Sequence, residues 1–431
     1  MFKYDVGVIG IGRVGLPLAL SLSKKGLEVK GFDIDKDIVD SVQKKIMPFK
    51  EKGYEEIIAN VNLEAIYEER HKIAGARNII ITVGTPLRQH LETDLSQIKS
   101  ALKSIEKYIK KGQNIILRST VAPGTTEFVK NYLEKVTSYK VGTDIFLSFC
   151  PERIIEGNAM EELERLPQII GSQDKKSAEK TETLFKFLTK EVLHTDYVSA
   201  ELVKLFNNIS RYIRFATANQ FAVIADEFGT NAYDIINMAN YKYPRDKIAQ
   251  PGFTAGTCLR KDFGMINENI PYTDLLLSSY KINEFMPKFL VDNLKKRVEI
   301  TDKNVAILGY TFKADTDDVR DTLIAKLIRY LEREVPRNIY IHDPYLNEMV
   351  DEKQLDDIDY KNTLLENSLK DADLVYLAVN HTIFRDRFSE IIEQCDSDTW
   401  FVDIWDISKT GKIFYKKEEL DLDLDGGNRD E

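Results

Sequence analysis

Residues 5–33 constrain this chain more than any other stretch. An apolar strand, Asp5–Ile9, runs into Gly10-Ile11-Gly12-Arg13-Val14-Gly15, and Leu16–Lys25 follows with helical spacing. A second strand, Glu28–Phe32, ends at Asp33. In such a strand–turn–helix unit each glycine has its own physical reason. Gly10 permits the tight turn, Gly12 lets backbone approach a pyrophosphate, and Gly15 lets helix and strand pack closely. The helix N-terminus adds N–H groups and the positive end of its dipole. An acidic residue about 20 residues further on accepts hydrogen bonds from both ribose hydroxyls and repels a 2′-phosphate. The pattern predicts an NAD site made by Gly10, Ile11, Gly12, Arg13, Val14, Gly15 and Asp33; a structural glycine turn without cofactor is the bland alternative.

The alternation continues. Asn78–Val83, Asn114–Arg118 and Asp144–Phe149 read as strands, and Leu95–Lys110 reads as helix. The texture changes near Asp196. Val198 to Tyr243 holds no proline and a single glycine, Gly229, and its apolar residues recur at Leu202, Leu205, Phe206, Ile209, Ile213 and Ala216. Helical spacing over that length suits a link between two domains, with an apolar side fit for a dimer; two helices buried in one core fit equally. From Asn304 the strand pattern returns in NVAILGY, NIYIHDP, DLVYLAV and TWFVDIW, with helical Thr322–Glu334 among them. The expected fold class is α/β: two Rossmann-like, doubly wound parallel-sheet domains joined by a long central helix. The expected parts are an NAD-binding domain (1–195), a helical linker and dimerisation region (196–300), a second α/β domain (301–416) and a solvated acidic tail (417–431).

Composition removes several classes. The 431 residues carry 60 Lys and Arg against 70 Asp and Glu, a formal charge of −10. No segment is dominated by basic residues, so a nucleic-acid partner is not expected. The 3 cysteines, Cys150, Cys258 and Cys395, are too few for a disulfide framework and make no Cys-x-x-Cys pair; the 5 histidines are scattered. No metal site is expected. No apolar run has the length of a membrane span. The first residues already read as a strand, which leaves no room for a signal peptide, and a cytoplasmic location is expected.

Four further groups carry chemistry. Cys258 lies in Pro251-Gly-Phe-Thr-Ala-Gly-Thr-Cys-Leu-Arg-Lys-Asp262, where proline and two glycines mark a loop. Lys261 and Arg260 supply charge that favours thiolate, and Asp262 adds a carboxylate. Nucleophile, cation and base so close together suit acyl transfer; a small buried hydrophobe is the other reading, kept for Cys150 and Cys395. Glu201, Lys204 and Asn208 share one helical face, which is either an exposed stripe or a wall of a cleft. Glu152 and Glu156, in the loop 151–157, either do acid–base work or cap a helix. Lys313 and Arg320 follow the strand that starts at Asn304. There Gly309 alone makes a poor dinucleotide fingerprint, and the charges are either solvated or meet a second phosphate-bearing ligand.

In order, GIGRVG, VGTP (83–86), STVAPGTT (119–126), PERIIEG (151–157), ELVKLFNN (201–208), CLRKD (258–262) and GYTFKADTDDVRDT (309–322) resemble the UDP-glucose/GDP-mannose dehydrogenase family, from Gly10 to about Asp403. The resemblance implies an N-terminal NAD-binding domain, a homodimer through the central helix and a C-terminal UDP-binding domain. It implies oxidation of a sugar 6-hydroxyl to a uronic acid, with two NAD and one water, through a thiohemiacetal and a thioester on Cys258. Lys204 would hold the hydroxyl or developing oxyanion, with Asn208 as second donor. Asp262 would assist proton transfer and position Cys258. Glu152 would act on thioester hydrolysis, with Thr120 holding water. Thr85, Thr120 and Arg320 would contact NAD. Glu156, Phe253, Gly256, Phe312 and Lys313 would face the nucleotide sugar, and Arg245 would reach a neighbouring subunit's substrate.

The chain departs from the family twice. Ala255-Gly256-Thr257 stands where Gly-Gly-Ser or Gly-Gly-His is usual, and Asp403-Ile404-Trp405 where Asp-x-Arg is usual. AVNHTIF (378–384) and CPERIIEG look like the N-acetylhexosamine branch, CLRKD like the UDP-glucose branch. The expected substrate is UDP-N-acetylmannosamine or a related UDP-N-acetylhexosamine, with UDP-glucose as the alternative. An epimerase would need a Tyr-x-x-x-Lys pair on a helix; Tyr243 and Lys247 have that spacing, but Pro244 puts them in a loop. A non-catalytic nucleotide-sugar-binding protein should have lost Cys258 or Lys204, and both are present.

Overall fold

The computed structural model describes residues 2–88, 92–254, 256–267, 270, 272–346 and 360–424, with backbone alone at 257, 258, 260 and 421–424. The chain divides into two compact units, Met1–Asn208 with Lys261–Pro271, and Ile209–Arg260 with Tyr272–Glu431.

The first unit is built on an eight-stranded sheet. Its strands are β1 (Tyr4–Ile9), β2 (Val29–Phe32), β3 (Leu63–Ile66), β4 (Ala76–Ile81), β5 (Asn114–Leu117), β6 (Phe146–Phe149), β7 (Gln168–Gly171) and β8 (Val192–Thr195). The order is β3-β2-β1-β4-β5-β6-β7-β8, and β6–β7 is the antiparallel pair in an otherwise parallel sheet. Apolar runs such as Ile79-Ile80-Ile81 are what a sheet covered on both faces requires. Ile79 and Ile81 enter one core, with Ile115 and Leu117; Ile80 enters the other, with Val6, Val8 and Ile116. The expected strands all form, a residue or two shorter or shifted. β3, β7 and β8 were not expected: they are short, and β8 is largely solvent-facing.

The second unit carries a five-stranded sheet of β9 (Asn304–Leu308), β10 (Asn338–His342), β11 (Leu374–Leu377), β12 (Trp400–Val402) and β13 (Phe414–Lys416). The order is β10-β9-β11-β12-β13, parallel except for β12–β13. Val305 and Ile307 point to one core, Ala306 and Leu308 to the other. Both sheets place their loops at the carboxyl ends of parallel strands, where doubly wound folds bind ligands.

The long helical span is one helix of 31 residues, Tyr197–Glu227, followed by a second, Ala232–Asn240. Gly229 adopts a left-handed φ of 65° just past the first, and the Asn231 side chain accepts from Tyr233 and Asp234 N–H to start the second. The expected solvated tail also differs. Lys417–Leu424 is helical and Leu420 is buried in the core, while residues 425–431 lie outside the described ones.

Candidate active site

The glycine turn has the geometry its spacing predicts. Gly10 sits at φ 89°, and a Cβ on Gly15 would overlap the Gly10 carbonyl. A Cβ on Gly12 would meet nothing, so the backbone there faces open space. Ile11 is buried under the turn, and Val14 is the last residue before helix Gly15–Lys24. Asp33 holds the turn from the end of β2. One carboxylate oxygen accepts from Ile11 N–H at 2.7 Å, the other from Ile34 and Asp35 N–H at 2.7 and 3.0 Å. An ionised carboxylate has about four acceptor positions. Asp33 therefore keeps acceptor capacity beyond its three backbone donors.

Beside it lies a cavity of about 410 Å³ walled by Gly10, Gly12, Asp33, Arg70, Gly84 and Ser100. Arg70 is a site residue the sequence did not announce; it follows β3 with no motif around it. Its Nη2 donates to the Asp33 carbonyl at 2.9 Å, while its Nη1 is buried without a hydrogen-bond partner among the described residues. An orphaned donor on the wall, open space over Gly12 and spare capacity on Asp33 fit a dinucleotide, whose ribose and phosphate oxygens accept hydrogen bonds.

Arg13 turns from this cavity toward the loop after β6. Its guanidinium meets Glu156 at 2.5 Å and packs over Phe49. The two residues expected to contact different ligands thus contact each other. Glu152 is buried, ion-paired with Arg118 at 2.5 Å, and accepts from Arg153 and Ile154 N–H. Arg118 was not foreseen, because nothing local links residues 118 and 152. The same loop is pinned by buried Glu51, which accepts from Gly157 and Ala159 N–H, both at 2.9 Å.

A second cluster in this unit gathers residues far apart in sequence. Lys204 and Asn208 on the long helix are both buried, with Asp262 fully so. Asn208 Nδ2 donates to Asp262 Oδ2 at 2.6 Å, and Asp262 Oδ1 has no hydrogen-bond partner among the described residues. Burial pushes the Asp262 carboxyl up, against the pull of Lys261, Lys204 and Asn208. Lys261 Nζ donates to Thr85 Oγ1 at 3.1 Å, and Thr85 Oγ1 donates to the Thr120 carbonyl at 2.5 Å. Glu201, one turn before Lys204, accepts from Gly124 and Thr126 N–H at 2.7 Å and from Thr126 Oγ1 at 2.6 Å, which caps helix Thr125–Thr137. The Glu201–Lys204–Asn208 face is therefore a buried wall, not an exposed stripe.

The remaining site residues belong to the second unit. Cys258 is not in a loop as expected: the loop ends at Gly256, φ 93°, and helix Thr257–Asn267 begins directly after it. The Cys258 side chain lies outside the described residues. Gly256 N–H donates to the Asp321 carbonyl at 3.2 Å, and a Cβ there would come within 2.6 Å of the Phe312 ring. Phe253 is buried in the core, and a Cβ on Gly252 would overlap Trp405. Arg320 pairs with buried Asp318 at 2.6 Å, and Arg245 packs over Tyr243. Among the described residues no group of His, Cys, Asp and Glu is arranged to hold a metal, and no helix is long and apolar enough to cross a membrane.

Fold, glycine turn and cavity define a class: a dinucleotide-binding α/β protein with a second α/β unit. The chain matches the models of the UDP-glucose/GDP-mannose dehydrogenase family over its NAD binding domain (4–189), central domain (198–284) and UDP binding domain (306–410). It is 31% identical to a UDP-N-acetyl-D-mannosamine dehydrogenase of Campylobacter jejuni, over 88% of this chain and 96% of that one. The solved UDP-D-ManNAc dehydrogenase of Pyrococcus horikoshii superposes with a TM-score of 0.81 at 28% identity, covering 91% and 93% of the two chains. A UDP-glucose dehydrogenase of Pyrobaculum islandicum gives 0.80 at 25% identity, covering 89% and 91%. The chain belongs to the UDP-glucose/GDP-mannose dehydrogenase family and is an NAD-dependent nucleotide-sugar dehydrogenase.

Proposed function

We propose that the enzyme oxidises the 6-hydroxyl of UDP-N-acetylmannosamine, or of a related UDP-N-acetylhexosamine, to the uronic acid. The observation that carries this reading is the buried Lys204–Asn208–Asp262 cluster. A buried carboxylate oxygen without a partner costs about 1–3 kcal/mol, and proton transfer is a reason to keep it. The names of the Campylobacter and Pyrococcus relatives support the N-acetyl sugar.

The glycine turn, Asp33 and Arg70 would hold NAD, with Thr85, Thr120 and Arg320 as further contacts. NAD held there would accept one hydride per oxidation, so each substrate would consume two NAD in turn. Lys204 and Asn208 hold the 6-oxygen as its proton leaves and as negative charge develops. Asp262, whose burial favours the protonated form, exchanges protons with that oxygen and with Cys258. Cys258 adds to the aldehyde as a thiohemiacetal, loss of a second hydride gives a thioester, and water releases carboxylate and free thiol. Glu152, with Thr120, assists the hydrolysis. Glu156, Phe253, Gly256, Phe312 and Lys313 shape the sugar and nucleotide subsites. Residues 1–195, 196–300 and 301–416 serve as NAD-binding, dimerising and UDP-sugar-binding parts, Arg245 reaches the neighbouring subunit's substrate, and the enzyme works in the cytoplasm.

The test is NADH formed by purified protein against a panel of UDP-sugars, read to the end point. Two NADH per UDP-N-acetylmannosamine or UDP-N-acetylglucosamine is expected. Two per UDP-glucose and none with the N-acetyl sugars would overturn the substrate. A Cys258→Ser variant that makes uronic acid at the wild-type rate would overturn the covalent route.

A further inference from the structure

The loop after β9, residues 309–316, carries Phe312 and Lys313, and its backbone is held at several points. Gly309 N–H donates to the His342 carbonyl at 2.7 Å. Thr311 Oγ1 and Thr316 Oγ1 both donate to the Lys313 carbonyl, at 3.0 and 3.1 Å. Two fully buried side chains from the neighbouring strands close on this loop: Asp343 after β10 and His381 after β11.

Asp343 accepts from Tyr310 N–H at 2.7 Å, Thr311 N–H at 3.0 Å and Tyr345 N–H at 2.9 Å. His381 Nε2 is its fourth neighbour, at 3.1 Å. Burial alone would raise the Asp343 carboxyl, but the hydrogen bond from His381 and those from the Tyr310 and Thr311 N–H groups act against it, and the group lies below the ordinary range. On the other side of the ring, Asp315 N–H donates to His381 Nδ1 at 2.9 Å. Nδ1 is therefore a bare acceptor, and the ring proton sits on Nε2, facing Asp343 and Thr311 Oγ1. An imidazolium would set two N–H groups against each other at Asp315. The Asp315 carboxylate turns back to accept from Thr382 N–H at 2.9 Å and Thr382 Oγ1 at 2.7 Å, beside His381 in sequence.

We propose that His381 is a positioning residue for nucleotide-sugar binding: a neutral imidazole, fixed as the Nε2–H tautomer, that locks the 309–316 loop so that Phe312 and Lys313 present one conformation to the nucleoside diphosphate. Hydrogen bonds at both ring nitrogens join three strand ends, and a loop already ordered gives up no conformational entropy when the ligand arrives. The inference rests on reading this unit as the UDP-sugar-binding part, and it adds a residue that touches loop backbone in place of ligand.

Two measurements test it. The chain has 5 histidines, so a 15N-histidine spectrum at pH 7 can be assigned with His381→Asn as the reference. The expected signature is an unprotonated Nδ1 and a protonated Nε2 that persists when UDP is added; an Nδ1–H tautomer or an imidazolium would overturn the proposal. Calorimetry then compares UDP with NADH. His381→Ala should weaken UDP at least tenfold, leave the NADH Kd within twofold, and raise the KM for UDP-sugar more than it lowers kcat. His381→Asn keeps an acceptor for Asp315 N–H and should recover part of the loss, which also guards against an alanine variant that fails to fold. Wild-type UDP affinity in either folded variant would overturn the lock. Wild-type protein that binds no UDP would overturn the nucleotide assignment itself, and the tautomer spectrum separates that failure from this one.

Discussion

At the scale of single residues, the buried carboxylates differ in how far their oxygens are met by donors. In Glu51, Glu201 and Glu152 both carboxylate oxygens accept from N–H groups or an arginine. Asp262 differs: one oxygen is bonded to Asn208 and the other is without a partner among the described residues, while burial favours its protonated form as it does that of Glu201. Asp262→Asn should lower kcat by about 10²–10⁴, the range for a lost general acid or base, with NADH affinity unchanged by fluorescence titration. It should not lower the melting temperature at pH 7, since burial already disfavours the charged form that asparagine lacks; a large loss of stability with kcat intact would make Asp262 structural.

Asp406 gives the pH prediction. Burial pushes its carboxyl up to about 6, with Asp403 and Asp234 adding to the effect and the Gly411 N–H opposing it. A folded-state value above the unfolded one, about 3.9, means the folded chain holds the proton longer. The stability this group contributes is whole below about pH 4 and is lost as pH rises toward 6. Asp406 has a left-handed φ of 53°, which asparagine also tolerates. Asp406→Asn should therefore match wild type in denaturation at pH 4 and exceed it at pH 7 by about 1 kcal/mol, the full shift being cut for its contact with water. An equal difference at both pH values would refute the assignment.

At the scale of elements, what was legible is what repeats locally. Strands buried on both faces, such as Asn78–Ile81, show as apolar runs, and the glycine turn shows as a spacing. β3 and β8 were hidden because a short edge or exposed strand needs no such run. The helix start at Thr257 was hidden because Pro251, Gly252 and Gly256 announce a loop but not where it stops. Long-range caps leave no periodic trace: Glu201 and Thr126 meet only because the fold brings helix Tyr197–Glu227 against the start of helix Thr125–Thr137. Asn208 and Asp262 were each nominated by motif, yet their hydrogen bond was not readable from sequence. Glu201→Ala should cost about 2–3 kcal/mol in urea unfolding, because it strands the Gly124 and Thr126 N–H groups at once. Glu201→Gln keeps one acceptor and should cost about half as much. Equal midpoints for wild type and the alanine variant would show that the cap is immaterial.

At the scale of the molecule, the long helix and its successor raise the question of what covers them. Phe221 and Ile224 lie on the second-unit part of Tyr197–Glu227 with Phe228 just past its end, and Ile235 and Met238 lie on the next helix with Tyr241 just past its end; all are exposed, Phe228 by 81% and Met238 by 69%. Single exposed apolar residues need no explanation, but a row along two consecutive helices does. A second copy of the chain is the occupant proposed here, since a contact between like surfaces closes on itself without exposing a new one. Sedimentation of the wild-type protein at micromolar concentration should give twice the chain mass. Phe228→Asp combined with Met238→Asp puts two charges into the row, and removing paired apolar burial at about 25 cal/mol per Å² while burying charge should shift the species to the monomer. NADH affinity in that variant should stay at the wild-type value, because the glycine turn, Asp33 and Arg70 all lie in the first unit. If Arg245 serves the neighbouring subunit's substrate, turnover should fall in parallel with the dimer fraction across a dilution series. A wild-type protein that sediments as a monomer, or a monomeric variant with full turnover, would remove the central helices from the active assembly and leave their apolar row to some other partner.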